Sequence, residues 1–178
     1  MLYPLKFEPI YKYRIWGGNK LSKVLNKADV PEMTGESWEI SGVEDNISVV
    51  SNGALQGNTI QELAEIYMGE LLGDQVYDKF GDEFPLLIKL LDANDILSIQ
   101  VHPDNSLAEE RHQAYGKTEM WYIIQADEKS GLYTGFSREL DKESFLEQLN
   151  NGTIKECLNY EDVKAGDVFF IPAGRVHA

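Results

Sequence analysis

Short stretches of alternating apolar and polar residues, each bounded by turn residues, recur along the chain and predict β-strands. The predicted strands cover residues 35–41, 47–50, 84–91, 97–103, 120–124, 131–136, 160–163 and 168–171. Two pairs of neighbouring strands, 84–91 with 97–103 and 120–124 with 131–136, are expected to form hairpins. The run 84–91 is almost continuously apolar, which is typical of a central strand covered on both faces.

Apolar residues at helical spacing occur in a few places between these strands. Thr59 is a good N-cap and Glu62 completes a capping box, so a helix is predicted from there to about Gly73. Asp141 caps a further predicted helix, which Gly152 closes. Many short strands with a few covering helices predict a mainly β fold, a sandwich or jelly roll with helical additions.

The length of 178 residues suits one domain with a full core, so a single domain over residues 1–178 is expected. No run approaches the roughly 18 apolar residues of a membrane span. The first nine residues lack the basic-then-apolar order of a signal peptide. With Cys157 as the lone cysteine, these features predict a reducing, cytoplasmic location.

The net charge of −14 bears on the partners of the chain. A strongly acidic protein repels the phosphates of nucleic acids and of acidic membranes, so neither partner is expected. A small phosphorylated substrate is still compatible with this charge. A few convergent cations in a pocket outweigh the distant surface field, which salt screens beyond about 10 Å.

Four polar residues at predicted strand ends are the candidates for chemistry. Gln100 and His102 are two apart in an extended stretch, so their side chains are expected on one face, with their apolar neighbours on the other. Glu119 opens a later strand, and His177 follows the bend after the last one. Two imidazoles and a carboxylate would suit a catalytic zinc, but also iron or manganese. Taken alone, Gln100 and His102 fit a metal site or an ordinary hydrogen-bonding pair.

Three further polar residues have simpler interpretations. Lys89 lies inside the apolar run 84–91, where a lysine is costly unless it is paired or lines a polar cavity. Snorkelling from the strand end to water would explain Lys89 equally well. His112, among charged neighbours, is assigned to a solvated helix face, and Cys157 to a structural position.

The end of the chain carries a more specific pattern. Its four fixed residues are Gly166, Pro172, Gly174 and His177. This spacing matches the second motif of the cupin superfamily, in which the histidine binds a metal inside a small jelly-roll barrel. The first cupin motif is His-x-His with a glutamate three or four residues later. Here Gln100 stands in place of the first histidine, and sixteen residues separate the second, His102, from Glu119.

With this departure from the first cupin motif, the sequence resembles the type I mannose-6-phosphate isomerases, most of all their short bacterial form. The resemblance rests on three stretches in order: Leu-Ser-Ile-Gln-Val-His-Pro-Asp (97–104), Gly-Lys-Thr-Glu-Met-Trp-Tyr-Ile (116–123) and Ile-Pro-Ala-Gly-Arg-Val-His-Ala (171–178). The preceding Phe-Pro-Leu-Leu-Ile-Lys-Leu-Leu-Asp-Ala-Asn-Asp (84–95) strengthens it. The similarity covers essentially the whole chain and implies a mainly β cupin (jelly-roll) barrel with helical additions.

The resemblance also implies the site residues. One zinc ion per chain would be held by four residues: Gln100, His102, Glu119 and His177. Gln100 rests on the resemblance alone, because a neutral amide oxygen is an uncommon zinc ligand. Lys117 is implied as the catalytic residue beside the metal, and Ser98 and Lys89 as residues that face the sugar phosphate.

The implied activity is the reversible interconversion of mannose 6-phosphate and fructose 6-phosphate by enediol proton transfer. Zinc would act as a Lewis acid. Lys117 would either shuttle protons or stabilise the oxyanion, and the sequence does not choose between these roles. Two alternatives stay open: a different metal-dependent cupin enzyme such as an oxygenase, and a non-catalytic module that binds sugar phosphates.

One departure concerns length. The family continues beyond the metal histidine with a second cupin-like region and a catalytic arginine, whereas this chain stops at Ala178. We therefore expect that the chain lacks the C-terminal region of the family and is inactive or nearly so alone. A small sugar phosphate is the expected partner, and a homodimer is left open.

Overall fold

The computed structural model describes all residues from Met1 to Ala178, and these fall into two compact units, Met1–Ile96 and Leu97–Ala178. The single domain expected over residues 1–178 stays a prediction. None of the helices has the length and apolar character needed to cross a membrane.

The first unit contains an antiparallel sheet with the order β1-β2-β3. Its strands are β1 (Ile10–Gly18), β2 (Thr34–Ser41) and β3 (Leu87–Leu91). Its helices are α1 (Lys20–Lys23), α2 (Ile60–Tyr67), α3 (Gly69–Leu72) and α4 (Asp74–Phe80). The strand predicted at 35–41 is confirmed, whereas residues 47–50 make only isolated bridges, through Val49 and Val50.

The prediction of a central strand over 84–91 is wrong in its placement. β3 lies at the edge of the sheet and pairs only with β2, and Ile88 is exposed. The apolar run cannot distinguish these cases, because burial depends on what packs against the strand and not on the run itself. Beyond β3, the chain returns to the end of β1 through a bridge between Gly17 and Ala93, so 84–91 forms no hairpin with 97–103.

This sheet exposes some apolar side chains and covers some charged ones. In β1, the outward Tyr13 and Ile15 are exposed, while Arg14 between them is half-buried. In β2, Glu36 is buried even though it is charged. Because strand side chains alternate between faces, Arg14 and Glu36 meet on one face of the sheet, whereas Glu39 lies on the other face beside Ser37.

The predicted capping box is confirmed at the start of α2. The Thr59 hydroxyl accepts a hydrogen bond from the Glu62 amide at 3.1 Å, and the Glu62 carboxylate accepts one from the Thr59 amide at 2.7 Å. The helix predicted to run to Gly73 ends instead at Tyr67. Met68 there takes a φ of 48°, outside the helical region, and a separate short helix follows.

Loss of this cap should weaken the first unit measurably. We expect Thr59→Ala to lower the free energy of unfolding by about 1 kcal/mol, because the Glu62 amide loses its acceptor. Urea-induced unfolding measures the change. Thr59→Ser retains the hydroxyl and serves as the control; equal losses in both variants would contradict a capping role.

The second unit is built from short strands and two helices. They are α5 (Asn105–His112), β4 (Glu119–Tyr122), β5 (Gly131–Phe136), α6 (Lys142–Asn150), β6 (Leu158–Asp162) and β7 (Val168–Ile171). The strands at 120–124, 131–136 and 168–171 and the helix capped by Asp141 are confirmed. The strand at 160–163 corresponds to β6, which begins earlier.

The predicted hairpin of 120–124 with 131–136 is wrong. β4 pairs with β7 and β5 pairs with β6, both antiparallel. Either pairing satisfies the same alternating pattern, and only long-range hydrogen bonds decide between them. Residues 97–103 form no strand either; Gln100 makes an isolated bridge with His177.

The β4–β7 pair also turns its apolar side chains outward. Met120 lies opposite Phe170, and these side chains are 67% and 66% exposed. Glu119 lies opposite Ile171, which is buried, so the carboxylate points to the covered face. The covered face of β4 therefore carries the polar chemistry.

Candidate metal centre

Three of the predicted site residues converge in the second unit. One ligand atom from each of His102, Glu119 and His177 lies within 4.8 Å of the others. Glu119 Oε2 lies 3.1 Å from His177 Nε2 and 3.7 Å from His102 Nε2. His177 is 1% exposed, and Glu119 and His102 are largely covered. Two imidazole nitrogens and one carboxylate oxygen therefore face a common point.

Backbone pairing fixes His177 at this point. Its amide donates to the Gln100 carbonyl and its carbonyl accepts from the Gln100 amide, both at 2.9 Å. On its other side it bridges to Thr134 in β5. Directly opposed residues of antiparallel segments share a face, so Gln100 and Thr134 flank the His177 side chain. This register brings Gln100 beside the centre, and its role as a ligand stays a prediction.

The hydrogen bonds of His177 define which nitrogen could bind a metal. Its Nδ1 lies 2.9 Å from the Arg175 carbonyl, which makes Nδ1 the donor and leaves the lone pair on Nε2. The buried Nε2 has no hydrogen-bond partner of its own although it faces Glu119 Oε2. An unsatisfied imidazole lone pair beside a carboxylate is the donor set that a divalent cation requires, so these residues fit a metal.

The ionisation of the centre follows from the same contacts. Burial opposes ionisation of Glu119, but the neighbouring His177 and Lys117 side chains and the Lys117 charge outweigh it and lower its pKa to about 2. Burial opposes protonation of His177, but Glu119 and the Arg175 carbonyl outweigh it and raise its pKa. Glu119 is therefore a carboxylate over the whole physiological range.

Lys117 lies at the edge of this centre. Its Nζ is 2.8 Å from Glu119 Oε1 and 3.3 Å from His102 Nε2. Its amide donates to the Pro103 carbonyl at 3.1 Å, so its backbone is tied to the segment that carries His102. Gly116 permits this close approach, because a Cβ there would lie 2.4 Å from the carbonyl carbon of Asp104. The catalytic role of Lys117 stays a prediction.

The other two predicted substrate residues do not join the cluster of ligand atoms. Ser98 is exposed in the second unit. Lys89 belongs to the first unit, where its Nζ lies 3.3 Å from Glu36 Oε2. Of the two explanations for Lys89, pairing therefore applies. Both assignments as phosphate contacts stay predictions.

Glu36 collects three donors. Arg14 Nε lies 2.9 Å from Oε1, and Trp38 Nε1 donates to Oε2 at 2.6 Å beside Lys89. Burial opposes ionisation of Glu36, but the Trp38 hydrogen bond and the charges of Lys89 and Arg14 outweigh it and lower its pKa. This cluster of one carboxylate and two cations has a formal charge of about plus one.

Sequence reasoning missed three groups around the centre. Trp121 packs edge-on against the His177 ring, with 5.6 Å between centroids. Alternation along β4 would have placed it on the face of Glu119. Thr134 and the Arg175 carbonyl left no local signal, because their positions depend on pairing between distant segments. His112 is exposed and Cys157 is buried, as expected.

Two imidazoles and a carboxylate, brought together by the start of β4 and by the bridge between Gln100 and His177, define a candidate metal-binding protein of mainly β structure. The chain belongs to the family described as "Phosphomannose isomerase type I, catalytic domain", whose sequence model matches residues 4–132. Gln100, His102, Lys117 and Glu119 lie within the matched residues, and His177 follows them.

Known relatives extend the match to the whole chain. A mannose-6-phosphate isomerase of Streptococcus mutans is 42% identical over 100% of this chain and 54% of its own length. The mannose-6-phosphate isomerase ManA of Bacillus subtilis is 39% identical over 98% of this chain and 54% of its own. The chain thus spans about half the length of these curated relatives.

A solved structure supports the same assignment. The crystal structure of the mannose 6-phosphate isomerase from Bacillus subtilis superposes with a TM-score of 0.88 at 36% identity. The superposition covers 98% of this chain and 54% of the solved chain. The resemblance to type I isomerases and the fold class, a mainly β cupin with helical additions, are confirmed.

Proposed function

We propose that this chain carries the metal centre of an aldose–ketose isomerase that interconverts mannose 6-phosphate and fructose 6-phosphate. The observation that carries the proposal is the convergence of His102, Glu119 and His177 in a chain of this family. Relatives with this name support the substrate. The acidic chain argues against nucleic acid or an acidic membrane as a partner, and a cytoplasmic location agrees with a metabolic role.

The proposed metal is one zinc ion per chain, held by Gln100, His102, Glu119 and His177. Imidazole and carboxylate ligands suit zinc, and a bound zinc would supply Lewis-acid stabilisation of the negative charge that develops on the sugar oxygens. The hydrogen bond from Nδ1 of His177 to the Arg175 carbonyl orients the imidazole, as partners of metal-bound histidines do.

The proposal assigns the proton transfer to residues of this chain. Isomerisation removes a proton from the carbon beside the carbonyl and returns one to the neighbouring carbon, through an enediol. Lys117 is 41% exposed and borders the ligand Glu119, so it can reach a sugar oxygen or an adjacent carbon. It would move the proton or donate to the oxyanion. Lys89 and Ser98 are proposed to bind the phosphate.

The test uses the protein that the gene encodes, purified with its metal. We expect isomerisation in a coupled assay. Chelation of the metal should remove at least 90% of the activity, a tenfold fall that corresponds to about 1.4 kcal/mol in activation free energy. Addition of Zn²⁺ should restore the activity.

The alternatives give different outcomes. Bound iron with oxygen consumption would identify another cupin enzyme and overturn the isomerase. Sugar-phosphate binding without turnover, with zinc present, would identify a binding module. Full activity after complete metal removal would contradict the metal-dependent mechanism.

A further inference from the structure

The two oxygens of Glu119 have different partners. Oε2 faces the imidazoles, 3.1 Å from His177 Nε2 and 3.7 Å from His102 Nε2. Oε1 accepts a hydrogen bond from Lys117 Nζ at 2.8 Å. Each oxygen is therefore committed, one to the candidate metal position and the other to an ammonium group.

The chain holds Lys117 in place from two directions. Lys117 comes two residues before the first position of β4, and its ammonium group reaches the Glu119 side chain. The amide of Lys117 is bound to the Pro103 carbonyl, next to His102. Its contact with Glu119 is thus built into the junction of the two segments that supply ligands.

We propose that Lys117 is a positioning residue for the metal ligand Glu119: it occupies Oε1, so that Oε2 alone is available to a metal. This inference rests on the metal centre of the proposed function. A charge-assisted hydrogen bond of this length is a strong interaction. It prevents the carboxylate from turning to present both oxygens.

The consequence concerns room at the metal. A carboxylate that binds through both oxygens takes one more coordination position than a carboxylate that binds through one. Catalytic zinc sites keep a position open for water or substrate. By restricting Glu119 to one oxygen, Lys117 keeps that position for the oxygens of the sugar. This role differs from proton transfer, and one residue can perform both.

Two substitutions separate the roles. Lys117→Met removes the hydrogen bond to Oε1, whereas Lys117→Arg retains a donor but cannot give up a proton. The side chain is partly exposed, so neither change should unfold the unit. Lys164→Met, at an exposed position of the same unit, is the matched control.

The readout is the visible absorption of the protein loaded with Co²⁺ alone, together with X-ray absorption of the Zn²⁺ form. We expect Lys117→Met to weaken the Co²⁺ bands and add one oxygen neighbour at zinc, as Glu119 takes up a second metal bond. Lys117→Arg should restore both signals. Turnover should fall in both variants by about 10²-fold or more, because neither side chain replaces the lysine in proton transfer.

Unchanged Co²⁺ and Zn²⁺ signals in Lys117→Met, with turnover lost, would overturn the positioning role and leave the proposed function intact. A changed signal in a protein whose native form does not isomerise the sugar phosphate would sustain the positioning role and refute the proposed function. Because the spectra need no turnover, the two failures are distinguishable.

Discussion

Replacement of His177 by alanine is expected to abolish metal binding and isomerase activity together. The imidazole supplies a buried nitrogen that lies 3.1 Å from Glu119 Oε2. Substitutions in residues that only support a ligand already cost 10–100-fold in metal affinity, so loss of the ligand should cost at least about 100-fold. Loss of several kcal/mol of charge stabilisation corresponds to a fall in turnover of about 10³-fold.

Metal content by elemental analysis and turnover in the coupled assay measure this effect. His112→Ala is the matched control, because His112 is exposed on α5 and lies outside the cluster of ligand atoms. The backbone bonds of residue 177 to Gln100 do not involve the side chain, so the variant should keep its pairing. Stoichiometric metal in His177→Ala would refute its assignment as a ligand.

The second large effect is expected on stability, at Glu36. Its side chain is 8% exposed, and its two oxygens accept from the side chains of Arg14, Trp38 and Lys89. Glu36→Gln removes the charge and turns one acceptor into a donor that faces other donors. We expect the free energy of unfolding to fall by about 2–3 kcal/mol, since breaking a buried ion pair from one side leaves its partners uncompensated.

Urea-induced unfolding at neutral pH measures the loss. Glu39→Gln is the control, because Glu39 lies on the same strand and pairs with Lys27 but is 32% exposed. An ion pair of this exposure should contribute less than about 1 kcal/mol. Equal losses at Glu36 and Glu39 would show that the convergence of donors at Glu36 has no special weight.

The contribution of Glu36 should also depend on pH. Its pKa is lowered in the folded state, so its stabilisation is fully present above the ordinary value of 4.5 and is lost as the pH falls through the folded value. The difference between the native protein and Glu36→Gln should therefore be largest at neutral pH and shrink below about pH 4.5. A constant difference between pH 7 and pH 3 would contradict this linkage.

Local signals in the sequence predicted several features correctly. The cap at Thr59, the strand that became β2 and the helix after Asp141 depend on neighbouring residues, which the sequence displays directly. Which strands pair with each other cannot be read from neighbouring residues. β4 joined β7 rather than β5, because equally apolar strands are distinguished only by hydrogen bonds between distant segments.

The candidate metal centre shows the same difference between local signals and long-range pairing. Positions at the ends of predicted strands nominated His102, Glu119 and His177, and the structure brings these three together. Gln100 was assigned as a ligand only through the family resemblance, since a neutral amide oxygen is an uncommon zinc ligand. Its bridge to His177 and the carbonyl that orients that imidazole depend on the folded backbone, which no spacing rule anticipates.

The bridge between Gln100 and His177 has a thermodynamic consequence. It joins segments that are far apart in the sequence, so an unfolded chain cannot present His102, Glu119 and His177 to one ion. Any ion that binds only the assembled centre draws the folding equilibrium of the second unit toward the native state. At a free concentration 100 times the Kd, this mass action amounts to about 2.7 kcal/mol. The availability of metal would then set how long the second unit survives unfolding and proteolysis, apart from any effect on catalysis.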